Sequence, residues 1–463
     1  MTDNNNDFTK GSVSGNIIRI ALPLTIAQIV NVLYNVVDRA FIGHIPEVGT
    51  AALTGVGVSF PAISLIIAFT NLCGMGGSPL FSIERGRNDK AKASKIMGNA
   101  CTCLLFFTVL LTVAGYIFTE PLLYLLGASD DTIVYAADYL RVYLSGTLFA
   151  MLSTGLNVFI NAQGFGGRGM LTVLAGAVCN IILDPIFIFV FNMGVKGAAL
   201  ATVLSQMLSS GLVLSFLCGK KALINLKLSD MKPDFHIIGK IMAVGLSPFV
   251  MSVTTAASQI LCNATLQRYG GDLYVGIMTV IISLREIMLL AGGGLTQGAS
   301  PVISYNYGAE RYDRTKTGIL FVAKLNFLSL FVPYVLLMLF PGFFISIFND
   351  DPALIEAGKV CVRIFFLTHF SMSFQSTGQS CFLALGKSKQ AIFFSLLRKA
   401  LLVMPLVIIL PRLFGLGVYG VFLSEPVSDI IGGTACFATF MLRVWPELTE
   451  KEKLKASLEE KHE

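Results

Sequence analysis

Apolar residues fill this chain in runs of about 20, the length that carries a helix across the hydrocarbon core of a bilayer. About twelve such runs follow one another, with no interval long enough for a separate soluble domain. Short polar stretches separate them. A backbone inside lipid must satisfy its own polar groups, so the pattern predicts an all-α integral membrane protein. Within the runs, polar positions recur at helical spacing. In the first, Asn16 to Phe41, Asp38 lines up with Asn35, Tyr34, Asn31 and Ala27, while Val36, Leu33, Ile29 and Ile26 fall on the opposite face. One side of this helix suits lipid and the other a wet interior. An acid at membrane depth is costly and is kept where it faces protein or water, so Asp38 is a candidate pathway residue. The plainer alternative is an acid at the helix end reaching the headgroups.

The fifth run reads AVCNIILDPIFIFVF. Asp184 follows Asn180 by one turn, so both point the same way, and Pro185 comes next. A proline there deprives the Ile181 carbonyl of its usual donor. A kinked helix offering a carboxylate, an amide and a free carbonyl suits a small cation or a proton; a kink with an internally satisfied acid is the simpler reading. The sixth run adds Thr202, Ser205, Gln206 and Ser209 along one stripe, a pattern also common where helices merely pack in membranes. The fourth carries Tyr139, Arg141, Thr154, Asn157 and Asn161.

The chain repeats itself. Gly76–Gly86 (GGSPLFSIERG) recurs as Gly298–Gly308 (GASPVISYNYG) at an offset of 222, and the motif at Gly194 recurs at Gly417 at an offset of 223. Pro23 pairs with Pro248, and Arg141 with Arg363. Each half holds about six spans, and an even number puts both halves in the same orientation, a parallel repeat of a kind found in transporters. The expected organisation is an N-terminal six-helix bundle over 1–218, a linker over 219–236, a C-terminal six-helix bundle over 237–446 and a charged tail over 447–463. The copies differ in their acids. Fifteen residues after Pro23 stands Asp38, and fifteen after Pro248 stands Asn263; Thr202 aligns with Glu425. Ion coupling is therefore expected in the N-terminal half.

Composition agrees with the pattern: the chain is 54% hydrophobic and 13% charged, against about 25% charged in soluble domains. Net charge is +6, and its placement matters more than its size. Basic residues gather at Arg85, Arg87, Lys90, Lys92 and Lys95, and again at Lys220, Lys221, Lys227 and Lys232. Further clusters lie at Arg311, Arg314 and Lys316, at Lys387 and Lys389, and in the tail; the alternate loops hold Glu47, then Glu120, Asp130 and Asp131, then Asp350, Asp351 and Glu356. By the positive-inside rule both termini face the cytoplasm, and the basic clusters are topology signals rather than nucleic-acid patches. The polar opening, with Asp3, Asn4, Asn5, Asn6 and Asp7, lacks the order of a cleaved signal, so the first span is expected to be retained. Nine cysteines form no C-x-x-C pair and no cluster with histidine, which indicates neither a disulfide framework nor a metal centre. His369 in its apolar run reads as a core histidine. The tail reads as a solvated helix or a disordered segment.

These residues resemble a known family. ALPLTIAQIVNVLYNVVDRAFIG is similar to the first helix of the multidrug and toxic compound extrusion (MATE) transporters, and NIILDPIFIFVFNMGVKGAALATVLSQ to their fifth and sixth. GGDLYVGIMTVI and TQGASPVISYNYGAERYDR resemble the seventh-to-ninth region, and the likeness runs in order over nearly the whole chain, nearest the bacterial DinF-like and MepA-like branch. It implies two six-helix bundles forming a V and a multidrug exporter of the plasma membrane. Cationic amphipathic compounds would be antiported against H⁺ or Na⁺, with no other cofactor and a monomer as the expected state. It implies a coupling network at Asp38, Asn180, Asp184 and Thr202, with Tyr34, Asn31, Tyr139 and Asn157 around it. Those oxygens would ligate metal only if the ion is Na⁺. Other branches place acids in the seventh and tenth helices; here Asn263 occupies one and His369 is the nearest ionisable residue to the other. Glu425 and Asp429 are left over, and Arg285–Glu286 reads as a structural ion pair. A flippase for a lipid-linked precursor is the alternative, and would need Arg141, Arg363, Arg398 and Lys399 to meet phosphates in one cavity. A membrane enzyme is not expected, because no nucleophile–base or metal motif is present.

Overall fold

The computed structural model describes residues 6–46, 48–348 and 351–460. Asp3, Asn4, Asn5, Glu47, Asp350 and tail residues 461–463 lie outside the described residues. Among the described residues the chain is helix and connecting turn, without a strand. The N-terminal elements are α1 (Val13–Gly43), α2 (Gly49–Gly86), α3 (Lys90–Leu125), α4 (Ile133–Ser145), α5 (Thr147–Ala162), α6 (Gly166–Pro185) and α7 (Gly194–Leu217). After them come α8 (Phe235–Gly308), α9 (Tyr312–Leu339), α10 (Pro341–Ser346), α11 (Pro352–Phe365) and α12 (Met372–Ala384). The last are α13 (Ser388–Leu396), α14 (Met404–Ile409), α15 (Val418–Thr439) and α16 (Trp445–Glu459).

Nine helices among the described residues are long and apolar enough to cross a bilayer. One of them, α8, has 74 residues, about 110 Å at 1.5 Å per residue, several times the ~30 Å needed. It is two helices meeting at Gly271, whose φ of 67° only glycine adopts freely. Counting those two separately, α4 with α5 as one pass bent by 59°, and the broken segment 352–384 brings the passes to twelve. Three breaks are π-helical turns: Ile186–Val190 beyond Pro185, Leu397–Val403 between α13 and α14, and Phe440–Val444 between α15 and α16.

Among the described residues two compact units emerge, one of residues 6 and 22–249, the other of 7–21 and 250–460. In the first unit α2, α3, α4, α5 and α7 pack around Phe81, Met97, Leu104, Leu156 and Phe159. Close approach depends on glycine: a Cβ at Gly74 would stand 2.8 Å from the Gly155 carbonyl oxygen. Asp89 starts α3 by accepting from Lys92 N at 2.9 Å. Gln163 holds the 219–226 loop, its Oε1 accepting from Leu223 N at 2.8 Å and Ile224 N at 3.0 Å.

In the second unit the core is built on Leu266, Ile281, Phe366, Val407 and Phe422. The segment entering α1 belongs here: Phe8 is fully buried, and Arg314 donates to its carbonyl at 2.9 Å. The tail departs from a simply solvated segment. α16 is a helix pinned along its length, Lys387 to Glu447 at 2.5 Å and Lys316 to Glu452 at 2.9 Å, with Lys316 also over the Trp445 ring.

Candidate functional site

The first unit gathers its membrane-depth acids at one point. α1 delivers Asp38, buried, and α6 delivers Asp184, fully buried one turn beyond Asn180. The two carboxyl groups lie within hydrogen-bonding range of each other. Asn180 Nδ2 donates to Asp184 Oδ1 at 3.1 Å and, more weakly, to Thr202 Oγ1 of α7 at 3.5 Å. Tyr139 of α4 is buried with its hydroxyl in reach of Thr202 and its ring stacked on Tyr143. Tyr34, one turn before Asp38, sits beside both carboxylates. Arg39, the adjacent cation, is turned onto the Phe60 ring at 4.4 Å.

The oxygens that remain define what this place can do. Asp38 Oδ1, Asp184 Oδ2 and Asn180 Oδ1 are buried, and no N–H or hydroxyl donor among the described residues reaches them. Buried acceptors without donors are costly, and neighbouring carboxylates repel unless a proton or cation lies between them. Unpartnered acceptors of this kind can be satisfied by a proton or a small cation.

The structure thus brings together Asp38, Asp184, Asn180, Thr202, Tyr139 and Tyr34. It places two others elsewhere. Asn31 is exposed, and its carbonyl accepts Asn35 Nδ2 at 2.6 Å. Asn157 joins α5 to α6, donating to Gly169 O at 3.0 Å and Thr172 Oγ1 at 2.6 Å while accepting Asn161 Nδ2.

The second unit holds a buried charge cluster that spacing along the chain does not reveal. Arg398 binds Asp429 Oδ1 through Nε at 3.0 Å and through a terminal nitrogen at 2.7 Å, and reaches Glu425 at 3.1 Å. Lys399 donates to Glu425 Oε1 at 2.5 Å. The expected Arg285–Glu286 pair does not form. Neighbours in sequence on a helix do not face each other; Glu286 is exposed, and Arg285 turns inward, 3.6 Å from Glu425. His369 is buried with Nδ1 at 3.5 Å from Asp429. The signal available in sequence was the mere presence of two acids in one apolar run and two cations in another.

The chain matches the MatE family over residues 23–186 and 248–409, most of its length and in two successive segments. It belongs to the MATE family. The paired match is the duplication seen in the repeated motifs. Among curated MATE relatives, the multidrug export protein MepA of Staphylococcus saprophyticus is 26% identical over 94% of this chain and 95% of its own. MepA of Staphylococcus aureus strain N315 is 24% identical over 88% and 90%. An outward-facing multidrug resistance MATE transporter superposes with a TM-score of 0.89 at 22% identity, covering 98% of this chain and all of that one. A MOP-superfamily transporter from Pyrococcus furiosus, described as having a binding pocket of reversed polarity, gives 0.89 at 23% identity over 97% and 99%. These likenesses support the same all-helical, twice-repeated MATE fold. The protein is a multi-pass membrane transporter of the MepA-like branch rather than an enzyme.

Proposed function

We propose that this protein is a secondary active multidrug exporter of the plasma membrane, with both termini cytoplasmic. It exchanges cationic amphipathic compounds for H⁺ or Na⁺. The observation that carries the reading is the Asp38–Asp184 pair, with its unpartnered buried oxygens and the Asn180–Thr202 support behind it. The names of the MepA relatives support the choice of cargo. An ion entering between the carboxylates removes their repulsion and favours the arrangement of α1 and α6 that holds it. Cargo favours the other arrangement, and the penalty each imposes on the other is equal by linkage. A cycle that carries one more positive charge inward with the ion than leaves with the cargo gains about 2.3 kcal/mol from 100 mV, roughly a fortyfold gradient of cargo at 1.4 kcal/mol per decade. Asp38, Asp184, Asn180 and Thr202 hold the ion, whether proton or Na⁺, and Tyr34 and Tyr139 shape the space around them.

A lipid-linked precursor would call for uncommitted cations. Arg141 is instead paired with Glu120 at 2.7 Å, while Arg398 and Lys399 are neutralised by Glu425 and Asp429. The exporter reading is tested by accumulation of a fluorescent cationic dye in everted vesicles. An inside-acid pH gradient and an inside-high Na⁺ gradient are imposed separately, with wild type and Asp38→Asn. One of the two gradients should drive uptake in wild type and fail in the variant. Undiminished uptake by Asp38→Asn would remove the acid pair from the mechanism.

A further inference from the structure

The charge cluster of the second unit does not balance. Arg285, Arg398 and Lys399 meet only Glu425 and Asp429, leaving one positive charge over; His369 and Cys262 are the other titratable groups that face it among the described residues. The surplus falls on Arg285. Arg398 and Lys399 make close hydrogen bonds to the two acids, whereas Arg285 stands off at 3.6 Å and its Nε–H is buried with no partner. A cavity of about 20 Å³ opens against it, lined by Thr255, Ser258, Gln259, Arg285, Lys399 and Glu425. The Ser258 hydroxyl, itself buried, also lacks a partner there.

Two unpartnered donors thus line a partly open space that admits a water, a halide or one oxygen of a carboxylate. A water would answer the hydrogen bonds and leave the charge. An unbalanced buried charge is the costlier defect, and a monovalent anion answers both. We infer that this cavity is a small-anion site, in which Arg285 Nε and Ser258 Oγ donate to a halide ion or to the carboxylate of an amphipathic cargo. The Arg285 side chain is 14% exposed, so it is not sealed within the unit's core. With a cargo carboxylate as occupant, the inference rests on the exporter reading and widens the cargo class to zwitterions. With a halide it stands alone.

The test is thermal unfolding of the purified full chain in detergent, at constant sodium and ionic strength. Methanesulfonate, whose tetrahedral head is wider than a planar carboxylate and much larger than a halide, is replaced by chloride or by acetate. The midpoint of the wild type should rise by about 5 °C in at least one of them. The rise should vanish in Arg285→Gln and in Ser258→Ala and persist in Asp38→Asn. A rise in chloride alone identifies a halide site, in acetate alone a carboxylate site, and in both a general monovalent-anion site. No rise in either, or a rise undiminished in Ser258→Ala, overturns the inference. The serine variant removes a single oxygen and decides the matter if Arg285→Gln does not fold. Because the readout is binding and not transport, failure here leaves the exporter proposal untouched.

Discussion

Replacing Arg398 by methionine removes the centre of the buried charge cluster while keeping an unbranched apolar stem of similar length. Arg398 donates three hydrogen bonds, two to Asp429 at 3.0 and 2.7 Å and one to Glu425 at 3.1 Å. Glu425 keeps Lys399, at 2.5 Å, but Asp429 keeps only His369, at 3.5 Å. Breaking a buried pair from one side costs about 3–5 kcal/mol, because the stranded charge has lost its water without gaining a partner. At roughly 2–4 °C per kcal/mol for a unit of some two hundred residues, the unfolding midpoint should fall by about 10 °C. The assay is size-exclusion recovery after heating, in detergent. A second substitution isolates the cause. Asp429→Leu in the Arg398→Met background removes the stranded acid, and most of the lost stability should return, since apolar replacement of a whole buried pair is often neutral. Arg398→Met with an unchanged midpoint would refute the assignment of Arg398 as Asp429's counter-ion. So would a double variant no more stable than the single.

Three further outcomes follow from the first unit. Asn180→Leu withdraws the donor from Asp184 Oδ1; a charge-assisted hydrogen bond is worth about 1.5–3 kcal/mol, so the driving-ion concentration for half-maximal dye uptake should shift by about tenfold or more. Gln163→Leu strands the Leu223 and Ile224 N–H groups, at about 1–3 kcal/mol each, which thermal stability and faster amide exchange at 223 and 224 will register. Gly74→Val drives side-chain atoms into the α5 backbone at Gly155 and should cost about 1–3 kcal/mol by overpacking, read as loss of folded protein on size exclusion, while Gly57→Ala, in open space, should be silent.

Much of the architecture is legible without coordinates because lipid allows so little else. Runs such as Asn16–Phe41 have to be helices, and Gly298–Gly308 repeating Gly76–Gly86 announces the duplication. The acids of the first unit are legible for the same reason. Asp38 and Asp184 are expensive where they stand, and Asn180 shares a helix face with its acid. Nothing local, however, says that α1 and α6 meet, nor that Asn157 turns to Thr172 instead. In the second unit the limitation is sharper. Arg285 has an acid next to it in the chain and uses one 140 positions away, Glu425. Partner choice across a bundle is decided by packing, which adjacent letters do not encode.

The π-helical turn at Leu397–Val403 has a consequence for how such a cluster can arise and be lost. Successive residues of an α-helix point about 100° apart, so Arg398 and Lys399 would not ordinarily both face Glu425. Both lie in the wider i→i+5 turn, and their long side chains reach the same acid, to which both donate. Such a turn is equivalent to a single-residue insertion in a regular helix. One codon lost between 397 and 403 would restore the regular helix and turn everything on one side of the deletion by about 100° relative to the other. The register of the helix thus decides which charges meet inside the unit, while the side chains themselves decide how many there are.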